Sequence, residues 1–199
     1  SAEVDERTLH EIYLYPFEKA VKEAEPWSLM CSYNKINGIY ASEHKELLSE
    51  ILREKWKFQG AVISDWGAVH SSLGAALSGL DLEMPGPGKF FNQSLKELID
   101  SNELSLEKID ESVKNLLLLI HKIQVSKTAE KNLGFDKNEH ALLAKELAQE
   151  SIVLLKNQDQ ILPVNPDKIK KIAVIGPNAN SARLGGGGSS WVTPYYQIS

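Results

Sequence analysis

The sequence predicts an α/β fold in which parallel strands alternate with helices, and three observations carry that reading. Apolar runs of strand length stand at residues 28–32, 61–63 and 80–84. Segments with apolar residues at helical spacing lie between and after them. The order strand, helix, strand, helix, strand then calls for βα units on a parallel sheet.

Residues 7–22 read as a helix, with Leu9, Ile12, Tyr13 and Phe17 near helical spacing. Pro16 is expected to kink or split it, because proline has no N–H to donate. Residues 28–32 form the first strand and lead into Tyr33 and Asn34. Asn37-Gly38 predicts a turn. Ser42 is expected to cap a helix running to about Trp56, with Leu47, Leu48, Ile51 and Leu52 on one face. Residues 61–63 are the second strand, which stops at Ser64 and presents Asp65, Trp66 and Gly67. Residues 71–78 read as a short helix of small side chains. The third strand, 80–84, is stopped by Pro85-Gly86-Pro87-Gly88. A helix over roughly 92–100 follows, then one after a Ser105 cap that turns Ile109, Val113, Leu116, Leu117 and Ile120 inward.

Three strands make neither a complete barrel nor a well-covered sheet, so the first 124 residues are expected to belong to a larger domain. Residues 126–134 are polar and poorly periodic and read as a linker. A second unit then opens with a helix capped by Asn138 and ending near Glu150. Strands are expected at residues 151–155 and 171–175, ahead of a glycine-rich loop at 184–190.

Composition narrows the function classes. The 199 residues are 42% hydrophobic and 25% charged, as in an ordinary globular protein. A net charge of −5 gives no basic footprint for nucleic acid. No apolar run approaches the roughly 20 residues of a membrane span. Cys31 is the one cysteine, lies in an apolar segment and is expected to be a buried thiol. The chain opens at Ser1 with no methionine and no visible leader, so a processed or cut N-terminus is expected. Neither compartment nor oligomeric state is legible.

The chemistry concentrates at Asp65. A carboxylate at the C-terminal end of a buried strand sits where α/β folds place their reactive groups. Trp66 beside it offers an aromatic face to a sugar ring. The competing reading is that Asp65 caps the following helix. Other constellations are weaker. Gly176-Pro177-Asn178 lacks the dinucleotide glycine order, and no lysine follows Gly185–Gly188 as a phosphate loop requires. His10, His44, His70, His121 and His140 are scattered without metal-ligand spacing, so neither metal nor cofactor is expected. Ser64 lies in no nucleophile elbow. Glu83 also stands at a strand end, but reads better as a hydrogen-bonding carboxylate than as a second catalytic group.

With those residues in view, the chain resembles family 3 glycoside hydrolases. Met30-Cys-Ser-Tyr-Asn34 with Asn37-Gly38, then Val62-Ile-Ser-Asp-Trp-Gly67, then Gly79-Leu-Asp-Leu-Glu-Met-Pro85 are similar to that family's late barrel strands. Ser151-Ile-Val-Leu-Leu-Lys-Asn157, Lys171-Ile-Ala-Val-Ile-Gly-Pro-Asn-Ala179 and Gly186-Gly-Gly-Ser189 are similar to the opening of its second domain. The wording is closest to the β-glucosidase and β-xylosidase branch.

The resemblance implies the C-terminal part of a (β/α)8 barrel over 1–124, a linker over 125–136, and the start of an α/β sandwich over 137–199. It implies that Asp65 is the nucleophile, that Tyr33, 32 residues earlier, lies against it, and that Trp66 and Ser189 meet the sugar. The family usually has glycine after that serine, where this chain has Ser190; a glycine there would serve a positive φ. The general acid/base is implied to lie beyond Ser199, so this piece alone is expected to be inactive. A retaining glycosidase needs two carboxyls about 5–5.5 Å apart. Its nucleophile is kept ionised by hydrogen bonds, with the Tyr33 hydroxyl a candidate donor. The partner implied is a small β-glycoside or oligosaccharide, most readily a β-glucoside. Alternatives are a β-xylosidase, a non-catalytic carbohydrate-binding relative, and an unrelated α/β scaffold that keeps Asp65 as a cap.

Overall fold

A computed structural model describes residues 1–127, 136–181 and 184–194. The chain is mixed α/β and forms two compact units, Ser1–Ala129 and Glu130–Ser199.

In the first unit, helix α1 runs through Glu6–Thr8, a π-helical stretch Leu9–Leu14, and Tyr15–Ala24. The Asp5 carboxylate caps it, accepting from the Thr8 amide at 3.0 Å. Pro16 does not split this helix. The chain widens to i→i+5 bonding just ahead of it, a local bulge at which the helix takes in a residue that has no N–H to donate.

Strand β1 (Ser28–Cys31) pairs in parallel with β4 (Ala61–Ser64), Ser28 opposite Ala61 and Cys31 opposite Ser64. Between them β2 (Lys35–Ile36) and β3 (Ile39–Tyr40) form a hairpin. Its turn residues Asn37 and Gly38 have φ of 49° and 85°, the left-handed pair that a tight hairpin needs. A 3-10 turn, Ala41–Glu43, leads into π-helical α2 (Glu46–Lys55), which buries Leu48, Ile51 and Leu52. Ser42 does not cap α2. It is fully buried and its hydroxyl donates to the Ala68 carbonyl at 2.8 Å. It lies inside the 3-10 turn, three residues ahead of the cap position at Lys45, and the His44 ring nitrogen instead accepts from the Leu47 amide at 3.3 Å.

The third apolar run lies beside β4, but as an isolated parallel bridge, Ile63 to Leu82, rather than a strand. The Ser64 amide donates to Leu82 at 2.9 Å, as a ladder would. One step earlier the Asp81 carboxylate takes the Val62 amide at 2.7 Å, occupying a donor that a third strand's carbonyl would accept. A side chain has replaced a rung.

Helix α3 (Ser72–Ser78) is capped by the Ser71 hydroxyl and ends at Gly79, φ 97°. Helix α4 (Gln93–Asp100) is capped by Asn92. Helix α5 (Leu106–Lys127) packs on β4 and α3. Only part of its apolar stripe is covered: Ile109 and Leu116 are half-buried, while Val113, Leu117 and Ile120 are exposed. The core gathers Val21, Cys31, Ile51, Val62, Val69 and Leu80.

In the second unit, α6 (Lys137–Glu150) is capped by Asp136, not Asn138. Its carboxylate reaches the Asn138 and Glu139 amides at 2.8 and 3.2 Å. Residues 151–155 and 171–175, expected as strands, have no regular secondary structure. A strand needs a neighbour for its amides and carbonyls, and neither run finds one among the described residues. Ile152, Leu155, Ile172 and Ile175 consequently stand exposed. The rest is short 3-10 turns at Gln158–Gln160, Pro166–Lys168 and Gly188–Ser190. Of the expected linker, residues 126–127 are the end of α5, and most of the remainder lies outside the described residues.

Candidate functional site

The strand end after β4 is held by main-chain bonds to both neighbours. The Asp65 amide donates to the Cys31 carbonyl at 2.9 Å, and the Gly67 amide donates to Met84 at 2.8 Å. Ser64 is buried, and its hydroxyl oxygen accepts from the Met84 amide at 2.8 Å. The chain then turns back on itself, Ala68 N–H donating to Asp65 C=O at 3.0 Å. Gly67 makes this turn with φ 81°, and no heavy atom lies within 4 Å of where a β-carbon would stand. Torsion, not crowding, calls for glycine there.

The Asp65 side chain is half-buried at this corner. Its Oδ1 accepts two hydrogen bonds, from the Tyr33 hydroxyl at 2.9 Å and from the Trp66 amide at 2.6 Å. Among the described residues no hydrogen bond reaches Oδ2. Asp65 does not cap α3, because Ser71 holds that role. Tyr33, Asp65 and Trp66 are thus brought together, with Tyr33 52% and Trp66 37% exposed, so two aromatic rings border an accessible carboxylate. The hydrogen bond to Asp65 raises the Tyr33 phenol above its usual range and keeps it protonated as a donor.

Glu83 is buried and does not share this site's chemistry. Its two oxygens accept the amides of Lys89, Phe90 and Phe91 at 3.0, 2.8 and 2.6 Å. It is the hydrogen-bonding carboxylate that the sequence suggests, and it folds the loop after Pro85-Gly86-Pro87. Cys31 is a buried thiol, pushed up to about 12 by desolvation with help from Asp81. At the opposite end of the strands, burial pushes the Asp81 carboxyl up, opposed by the Arg53 guanidinium 2.6 Å away.

In the second unit Ser189 falls on the Gly188–Ser190 turn, and its side chain lies outside the described residues. Ser190 does not adopt a positive φ; Gly185 and Gly188 do, at 73° and 58°. The serine in place of glycine therefore fits the loop without backbone strain.

Sequence reasoning missed the outer supports of the Asp65 turn. These are Ser42 on Ala68 and a stack of the Tyr40 and His70 rings, 3.5 Å between centroids. The one sequence signal for them is the position of Tyr40 and Ser42 just after the Asn37-Gly38 turn. Among the described residues no three His, Cys, Asp or Glu side chains are grouped to hold a metal ion. No described helix is long and apolar enough to cross a membrane.

Comparison with known proteins places these features in a family. The profile described as Glycosyl hydrolase family 3 N terminal domain matches residues 1–119. The one described as Glycosyl hydrolase family 3 C-terminal domain matches residues 152–199. The chain is 44% identical over 201 residues to Probable beta-glucosidase J of Emericella nidulans, covering all of this chain and 23% of that protein. It is 38% identical over 200 residues to the Exo-alpha-(1->6)-L-arabinopyranosidase of Bifidobacterium breve, covering 97% of this chain and 26% of that protein. Among solved structures, the Kluyveromyces marxianus beta-glucosidase in complex with glucose matches with a TM-score of 0.65 and 39% identity. That match covers 99% of this chain and 25% of the solved one. The chain thus spans about a quarter of the length of the relatives it matches.

Proposed function

The chain belongs to glycosyl hydrolase family 3, and from that premise we propose that it is part of a retaining glycosidase acting on terminal β-linked sugars, most readily β-glucosides. In this reading residues 1–124 are the C-terminal part of a (β/α)8 barrel, 125–136 a linker, and 137–199 the start of an α/β sandwich. Asp65 is the nucleophile, Tyr33 its hydrogen-bond donor, and Trp66 and Ser189 contact the sugar.

The observation that carries the reading is the asymmetry of the Asp65 carboxylate. Oδ1 is engaged by Tyr33 and Trp66. Oδ2 has no such partner among the described residues and is the oxygen available to attack. In the first step Oδ2 forms a bond to the anomeric carbon as the bond to the aglycone oxygen breaks, and that oxygen takes a proton from a general acid. In the second, water attacks the anomeric carbon and gives its proton to the same group, now acting as base. The carbon–Oδ2 bond breaks, Asp65 returns as carboxylate, and configuration is retained. Glu83 is not that acid/base, because both its oxygens are committed to loop amides. No residue of this chain is assigned the role.

The names of the relatives support a glucoside, and glucose occupies one solved relative. A relative named for another pyranoside, at 38% identity, favours a second reading in which the sugar is a pentose, as in a β-xylosidase. Turnover of aryl β-glucoside against aryl β-xyloside by the full-length protein decides between them.

In the full-length protein, Asp65→Ala is expected to lower turnover by at least about a thousandfold with the fold retained. Added azide should then give the α-glycosyl azide, attacking from the face the carboxylate has vacated. Near-normal turnover, or only the β-azide, would falsify the assignment.

A further inference from the structure

The turn that carries Asp65 contains a glycine in a left-handed conformation, which by itself gives the segment little torsional stiffness. Its position therefore depends on ties from outside. The main-chain ties to Cys31 and Met84 hold its start. Its far end is held by the hairpin β2–β3 and the turn that follows. Fully buried Ser42 donates to the Ala68 carbonyl at 2.8 Å. Tyr40, the last residue of β3, stacks on His70 with ring centroids 3.5 Å apart and planes 18° from parallel. The Lys35 ammonium lies 4.5 Å from the centroid of the same Tyr40 ring, so the tyrosine is engaged by both strands of the hairpin and by the loop. The hairpin begins two residues after Tyr33, which donates to Asp65. One short piece of chain, residues 33–42, thus grips the loop 65–70 at its first, fourth and sixth residues.

We propose that the Tyr40–His70 stack is a positioning device for the nucleophile: it fixes the far end of the loop and so aims Asp65, without either ring touching the reacting atoms. The proposal rests on the reading of Asp65 as nucleophile. A displacement on the order of 1 Å in a reacting group costs up to about a hundredfold in rate, so loosening one of several ties should cost about tenfold. The loss belongs to the attack step, not to sugar binding.

The test uses the full-length enzyme and a 2-deoxy-2-fluoro β-glucoside with a dinitrophenolate leaving group. That reagent gives a first-order rate constant for attack, a separate dissociation constant, and a labelled peptide. His70 is exposed, so His70→Ala should fold. Expected are an attack rate about tenfold lower in His70→Ala, a dissociation constant within about twofold of the parent, and recovery in His70→Phe, which restores a ring. Tyr40→Ala should match His70→Ala, with the double variant no slower than either single, because both remove one contact. If Tyr40→Ala does not fold, the His70→Ala and His70→Phe pair decides alone. An unchanged attack rate in His70→Ala overturns the proposal. So does a loss that His70→Phe does not recover, a double variant that multiplies the single effects, or a dissociation constant that rises as much as the rate falls. Labelling of the parent at a residue other than Asp65 overturns the nucleophile reading instead, whatever the variants do.

Discussion

The Tyr33–Asp65 hydrogen bond fixes which oxygen of the carboxylate is held and which is left open, and both partners can be tested singly. Tyr33→Phe keeps the ring and removes the donor. Losing a hydrogen bond to the charged carboxylate should lower turnover of the full-length protein by roughly tenfold or more. The fold should not suffer, since the Tyr33 ring is half exposed. The bond also predicts a titration. Because Asp65 raises the Tyr33 phenol, that proton should come off above the usual tyrosine range. The sign follows: the bond stabilises the folded state fully below the unfolded phenol value near 10 and loses that contribution as pH rises through the higher folded one. Subtracting the Tyr33→Phe absorbance titration from that of the parent should isolate a late phenolate component. A component at or below the ordinary tyrosine midpoint would show that Asp65 does not hold this proton. At this scale Asp65 and Trp66 were legible because a short apolar strand ending in a carboxylate is a local pattern, whereas Tyr33 came only through the family resemblance. Tyr40, Ser42 and His70 were not. Their partners lie 26 or more residues away, and nothing in a run of sequence states which acceptor a serine hydroxyl will choose.

Strand–helix–strand order is visible in the periodicity, yet the third strand is not formed, and the reason is one side chain. The buried Asp81 carboxylate accepts the Val62 amide of β4, is paired with Arg53 of α2 at 2.6 Å, and accepts from Asn115 of α5 at 3.0 Å. It therefore replaces a ladder rung while joining three elements. Removing it strands a partly buried guanidinium and a buried amide together. Asp81→Ala should destabilise the protein by about 3 kcal/mol, at the lower end of what breaking a buried ion pair costs. Denaturant unfolding of the full-length protein at near-neutral pH measures this; a shift under 1 kcal/mol would mean that water replaces the lost partners without penalty. A substitution of ladder by carboxylate is not readable from hydrophobic pattern, which counts Leu80, Leu82 and Met84 as strand and is blind to where Asp81 points. The cap positions shifted for a related reason. Ser42 and Asn138 are good cap residues by type, but the first sits in the 3-10 turn ahead of α2 and faces Ala68 instead, and Asp136 reached the amides before the second.

Across the whole chain, apolar surface remains uncovered. Val113, Leu117 and Ile120 of α5 are exposed, as are Ile152, Leu155, Ile172 and Ile175 in the second unit. The second unit's apolar runs read as strands in sequence because β-branched residues cluster there, but a strand is a property of a pair. Contiguous exposed apolar surface drives association. The 199-residue chain expressed alone should therefore bind a dye such as ANS strongly, elute as associated species in size-exclusion chromatography, and lack glycosidase activity. A monomer with a sharp cooperative melt and no dye enhancement would contradict this expectation.

Gly67 has a consequence in terms of chirality. Its φ of 81° is one that left-handed amino acids resist, yet open space surrounds the place a β-carbon would take. The turn after Asp65 thus excludes side chains by hand rather than by size. D-alanine, introduced by chemical ligation, finds this torsion natural and would also narrow the freedom of the unfolded chain. It should leave activity intact and raise the melting temperature, where L-alanine at the same position would swing the carboxylate away. The residue best suited to position 67 is one that the ribosome does not supply.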